Sequence, residues 1–189
     1  MDLNRISHPL RLAKGSHQPG SGKGCAMNVI SYINGDVEIT DVPECSAPAL
    51  ARIVQDVNDY LADIHGDEGY NLSPEDSVIA LNLAWQTVGT ADTLAEAQFV
   101  EWVSELADSP MVLGKCGYWR KTLDDLAGGC HVEKSERNGL AANIACSVSG
   151  PDRVEFARWA IKRWREIAGV DAPAQISEAA VGSALQRIG

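Results

Sequence analysis

Between residues 46 and 64 apolar side chains recur every third or fourth position: Leu50, Ile53, Val54, Val57, Tyr60, Leu61 and Ile64. Arg52, Gln55, Asp56, Asp59 and Asp63 fall opposite them. This period predicts an amphipathic helix. Ser46 is placed to cap it, Pro48 fits its first turn, and Gly66 lies just beyond its end. The next helix opens at Ser73-Pro74-Glu75-Asp76, a capping residue, a first-turn proline and two acids that suit the positive end of the helix dipole. Val78, Leu81, Trp85 and Val88 line its inner face, and Gly89 stops it. Thr93 with Glu96 resembles a capping box for a third helix, with Ala95, Phe99, Trp102, Val103 and Leu106 inside and Pro110 after the end.

The same period continues through Cys116, Trp119, Leu123 and Leu126, up to Gly128-Gly129. A short helix from about Leu140 to Val148 ends at Gly150-Pro151. Val154, Ala157, Ile161, Trp164 and Ala168 mark a long amphipathic helix, and Ser177 can cap a last short one containing Val181, Ala184, Leu185 and Ile188. The ambiguous stretch is MNVISYINGDVEIT, residues 27–40. Asn34-Gly35 between apolar runs is a hairpin signal, predicting a short β-hairpin near 29–40. Ala26, Val29, Ile30 and Ile33 fit a helix closed by Gly35, which is the preferred reading. Residues 1–22 have no period and read as a flexible tail. Residues 81–106 and 142–167 echo one another: each has N-x-A, a Val near a Gly, then Phe and Trp. A duplicated helix pair would produce this, and so would chance recurrence of common caps. The pattern predicts an all-α fold, a compact bundle of six or seven helices. It forms a single helical domain over 23–189, with a sub-division near 110–135 as the competing division.

Composition changes this picture little, and charge changes it more. The 189 residues are 45% hydrophobic, enough for a core. No apolar run approaches the ~20 residues of a membrane helix. The first twenty residues lack the apolar centre of a secretory signal. Five widely spaced cysteines read as reduced thiols, so the expected location is cytoplasmic. The formal net charge of -10 is concentrated: residues 36–109 hold sixteen acids against Arg52 alone. Residues 110–189 hold eleven bases and nine acids. The acidic block repels phosphates, so no nucleic acid partner is expected.

HQPGSGKGCA, residues 17–26, looks like a phosphate-binding loop. Such a loop needs G-x-x-x-x-G-K-[ST] between a buried strand and a helix. Here His17 replaces the first Gly, Gly24 replaces the hydroxyl, and a Cys25 thiol is a poor Mg²⁺ ligand. The expectation is a Gly/Ser linker with no nucleotide bound.

Metal-ligand spacing is also missing: there is no C-x-x-C and no H-x₃-H. Cys130-His131 is an adjacent pair, which chelates poorly, while Cys116 and Cys146 sit at helical core positions. No metal, cofactor or catalytic residue is expected. Arg158, Lys162 and Arg165 share one helix face, flanked by Trp159 and Arg163. This face could grip a polyanion or an acidic partner, or it could simply be solvated; Asp152, Glu155 and Glu166 dilute its charge. Asp56, Asp59 and Asp63 form an acidic stripe, read as a solvated face or as a surface for a basic partner, including residues 151–168 of a second copy.

Cys25-x-Met27-Asn28, Ser31-Tyr32-x-x-Gly35, Asp41-x-Pro43-x-Cys45-x-x-Pro48, Asn58-Asp59 and Val88-Gly89-Thr90 together resemble an uncharacterised actinobacterial family. Its members read C-x-M-E-x-V-x-Y-x-x-G, D-x-P-x-C-x-x-P, N-D and L-V-G-T. The resemblance covers about residues 24–90, with Asn28 where the family has Glu. It implies an actinobacterial or actinophage origin and a helical fold, carries no activity, and singles out Cys25, Tyr32, Asp41 and Cys45 as a functional cluster.

The leading functional expectation is a non-enzymatic interaction or regulatory protein acting through an acidic helical surface. Its partner would be a protein or a second copy, joined through the acidic 36–109 and basic 151–168 surfaces, with no membrane involved. Two other classes compete: a thiol- or metal-dependent enzyme centred on Cys25 and Cys45, and a nucleic-acid regulator or DNA mimic.

Overall fold

The computed structural model describes residues 11–15, 23–113 and 117–174. Among them the protein is an all-α bundle of seven helices. They are α1 (Ala26–Asn34), α2 (Pro48–His65), α3 (Pro74–Gln86), α4 (Glu96–Asp108), α5 (Gly117–Ala127), α6 (Lys134–Ala145) and α7 (Arg153–Ala168). Two strands of two residues each, β1 (Arg11–Leu12) and β2 (Lys23–Gly24), pair in parallel ahead of α1. The final helix expected after Ser177, and Cys116, lie outside the described residues.

The centre is α2, which packs against α1, α3, α6 and α7, while α4 packs against α5, α6 and α7. Leu50, Ile53, Val54, Val57 and Leu61 of α2 are buried, as their spacing requires. Trp119, Leu123 and Leu126 of α5 join the same core, so the region near 110–135 shares its packing with the rest. Ile64 departs from the expected stripe. It is exposed in the last turn of α2.

Residues 26–34 form the helix and not the hairpin. Seven of the nine residues in α1 are buried, including Asn28 and Ser31. Gly35 closes it at φ 87, a left-handed conformation that glycine adopts without strain. Caps differ from expectation at two helix starts. The Ser46 hydroxyl does not cap α2; it lies 2.8 Å from Thr87 Oγ1. Together with the Ala47 amide donating to Thr90 Oγ1 at 2.9 Å, it staples the start of α2 to the end of α3. Thr93 likewise does not cap α4. Its hydroxyl accepts from Trp164 Nε1 at 2.9 Å, and the amide of Ala95 donates to Gln98 Oε1 instead. At α3 the expected Ser73 cap is present, accepting from the Asp76 amide at 3.1 Å.

The echoed segments are α3–α4 and α6–α7. Their Phe–Trp pairs have similar geometry, with centroids 5.7 Å apart for Phe99–Trp102 and 5.8 Å for Phe156–Trp159. Trp102 is fully buried and meets Trp164 edge-on at 4.7 Å, which locks α4 to α7.

Candidate binding cleft

The acidic stripe of α2 is occupied within the chain. Asp63 takes the Lys14 ammonium at 2.6 Å. Asp59 accepts from the Gly15 amide at 2.8 Å. Between these, Asn58 is fully buried: its amide donates to Ala13 O at 3.0 Å, and its oxygen accepts from the Ala26 amide at 3.2 Å. Residues 11–15, read from the sequence as part of the tail, are therefore held against α2, with Leu12 and Ala13 buried. Asp56 meets Arg153 at 3.2 Å and accepts from the Cys146 thiol at 3.1 Å. Burial raises the Asp56 pKa and outweighs both of these bonds. The three carboxylates expected as an acidic face are thus each bonded within the chain, while Asp63 stays exposed. The sequence singled out Asn58 only beside Asp59 in the family resemblance, although a polar side chain between Val54 and Leu61 on a buried stripe was a legible signal of this role.

The expected functional cluster of Cys25, Tyr32, Asp41 and Cys45 is spread along α1 and the loop that follows it. Cys25 precedes α1 and Tyr32 lies near the far end, about 10 Å away at 1.5 Å per residue. Cys25 is fully buried, and burial pushes its thiol up to about 11. Cys45 is half-buried, also with a raised pKa from burial. Asp41 accepts from Gln55 Nε2 at 2.8 Å. The four described cysteines are free thiols, and no group of three or more His, Cys, Asp or Glu among the described residues is placed to hold a metal. At the phosphate-loop lookalike, the Cys25 amide donates to Asn28 Oδ1 and the Ala26 amide to Asn58 Oδ1, so the start of α1 turns these donors inward.

The basic face of α7 divides. Trp159 is half-buried against Phe156. Arg163 turns outward to Glu105 at 2.6 Å. Arg158 and Lys162 are exposed. Arg165 is only 7% exposed, so of the expected basic face it is the cation turned inward. Its guanidinium donates to Gln86 O at 2.9 Å and to the carbonyls of Asp171 and Val88. These oxygens carry partial charges only, and burial alone shifts the Arg165 pKa, downward. A guanidinium stays protonated in proteins, so a full positive charge sits at this point, with no carboxylate bonded to it among the described residues.

That point is the base of a cleft of about 730 Å³ between α3 and α7. Gly169, left-handed at φ 65, ends α7 and turns the chain back across α3, where Trp85 Nε1 donates to Ala174 O at 2.9 Å. Leu83 and Ile161 supply apolar floor, Asn82 and Gln86 line the α3 side, and Arg158 and Lys162 the α7 side. Lys162 is 77% exposed and lies 3.7 Å from Glu166, an open ion pair that water weakens. With Glu166 and Asp171 as the acids, the lining has three cations and two anions in a chain of net charge -10.

The described residues form a helical bundle with a cleft between α3 and α7 that has an apolar floor and a charged rim. Comparison of the chain with protein-family models, with curated proteins and with solved structures gives no match.

Proposed function

We propose that the chain is a non-enzymatic binding module that takes an extended acidic-apolar peptide segment into the α3–α7 cleft. The observation that carries this is the buried Arg165 charge, which meets no carboxylate among the described residues, beside a rim of Arg158 and Lys162. A ligand carboxylate supplies the missing counter-charge, and an apolar side chain covers Leu83 and Ile161. Grooves with an apolar floor and a few convergent polar groups are the usual form of such sites. The acidic helical face expected from sequence gives way to this cleft because its carboxylates are already bonded. The thiol-enzyme alternative is weakened by Cys25 and Cys45, whose raised pKa values leave little thiolate at neutral pH. Free thiols and the lack of a helix long and apolar enough to cross a membrane, among the described residues, suit a cytoplasmic role.

The test is fluorescence anisotropy with labelled peptides that alternate Glu or Asp with Val or Leu, beside Lys-substituted controls and a single-stranded oligonucleotide. Acidic-apolar peptides should bind, more weakly as salt rises, and Arg158→Glu/Lys162→Glu should abolish the signal. Equal binding of the Lys controls, or preference for the oligonucleotide, would overturn the proposal.

A further inference from the structure

Val37 is the most exposed large apolar side chain among the described residues, at 99%. A lone surface valine is ordinary, but this one stands on a loop built to hold it out. The Asp36 carboxylate accepts from Ser31 Oγ at 2.7 Å, from Asn34 Nδ2 at 2.5 Å and from the Glu44 amide at 3.3 Å. The Thr40 amide donates to Ser31 Oγ at 3.1 Å, and Val42 N donates to Thr40 Oγ1 at 3.2 Å. Asp41 is tied to Gln55 of α2. The loop is thus fixed from both sides, and its tip projects Val37 with the exposed carboxylate of Glu38 beside it. Tyr32, 38% exposed, stands at the same end of α1.

This tip has the chemistry that the cleft lacks. We infer that the cleft's ligand is a second copy of this chain, with Val37 of one molecule seated on Leu83 and Ile161 of the next and Glu38 facing Arg158 and Lys162. The inference rests on the reading of the cleft as a peptide site and names its occupant. Charge complementarity selects that occupant: the 36–44 loop exposes Glu38 and Glu44 and carries no base. A pre-formed loop also avoids most of the ordering cost of binding a flexible peptide. The two surfaces use different residues, so the contact is either reciprocal about a two-fold axis, closing a dimer, or repeated head to tail. One tip in one groove buries far less than the ~1,200 Å² of a stable interface, so association is weak and depends on concentration.

Sedimentation velocity on the full chain, from micromolar to near-millimolar concentration at low and high salt, tests this. The expected result is a weight-average mass that rises above one chain with concentration and falls back with salt. Val37→Asp and Arg158→Glu/Lys162→Glu should each be monomeric, with far-UV circular dichroism unchanged because all three positions are exposed, and with only a small fall in melting for the second from the lost Lys162–Glu166 pair. Mixing the two variants leaves one intact tip and one intact cleft, and should restore a species of one copy of each. Three results would overturn the inference: a monomer throughout for the natural chain, self-association that survives both sets of changes, or a mixture that stays monomeric. If the chain stays monomeric yet binds the acidic-apolar peptides, the cleft reading stands and only its occupant is wrong. If neither occurs, both fail.

Discussion

Asn58 shows how one polar side chain can organise a helical core. It ties α2 to the carbonyl of Ala13 and to the amide of Ala26, joining two segments distant in sequence. Asn58→Ala leaves a buried donor and a buried acceptor unpaired. At about 1–3 kcal/mol for each stranded group, the loss should total roughly 2–5 kcal/mol, read from the urea midpoint. A change below about 0.5 kcal/mol would mean that water reaches both groups. The thiols make a second case. Cys25 and Cys146 are both pushed up to about 11, the first by burial, the second by burial together with its bond to Asp56. Iodoacetamide at pH 8 should therefore label exposed Cys130 first, Cys146 slowly and Cys25 only after unfolding, as peptide mass spectrometry would show. Fast labelling of Cys25 in the folded protein would restore the case for a thiol site.

At the level of elements, the turn between α6 and α7 packs closely against Tyr60 of α2. A Cβ on Gly150 would lie 2.6 Å from Tyr60 Oη and 2.9 Å from Tyr60 Cε2. The Tyr60 ring cannot retreat freely, because Arg153 stacks on it at 5.0 Å while holding Asp56. Gly150→Ala should cost about 1–3 kcal/mol through this overpacking. Tyr60→Ala should recover much of that loss in the double variant, since the clash is with the ring itself. Additive thermal shifts would place the cause elsewhere. The remaining junctions depend on side chains crossing between helices: Trp102 Nε1 to Ala160 O at 3.0 Å, and Trp164 Nε1 to Thr93.

Across the whole molecule, charge is sorted more than balanced. The acids of α2 anchor residues 14–15 and Arg153, those of α4 engage Arg163, and the α3–α7 cleft is left locally positive. The Arg163–Glu105 contact carries a pH signature. Arg163 holds the Glu105 pKa below its ordinary 4.5. Its contribution is therefore present above that value and is lost as pH falls through the depressed folded pKa. The stability gap between the natural chain and Glu105→Gln should be small at neutral pH, because the pair is partly exposed, and should close below pH 4.5. A gap that widens with acid would reverse the assignment. Asp56 works in the opposite sense: burial raises its folded pKa, so its contribution is complete at low pH and is lost as pH rises through that value.

The sequence alone carried the helical class and most of the inner faces, because the 3.6-residue period and the Ser73-Pro74 start are local properties that survive in any packing. It also carried the helix over 26–34, through an apolar run closed by Gly35. It did not reveal which caps would be diverted, since Ser46 and Thr93 cap nothing once Thr87 and Trp164 compete for their hydroxyls. The acidic stripe and the basic face looked like equivalent charged surfaces because side-chain sequence does not say what stands opposite. Tertiary structure placed Lys14, Gly15 and Arg153 against the first, and turned Arg165 inward onto carbonyls in the second. Only that packing separates carboxylates bonded within the chain from a buried cation that meets only carbonyls among the described residues.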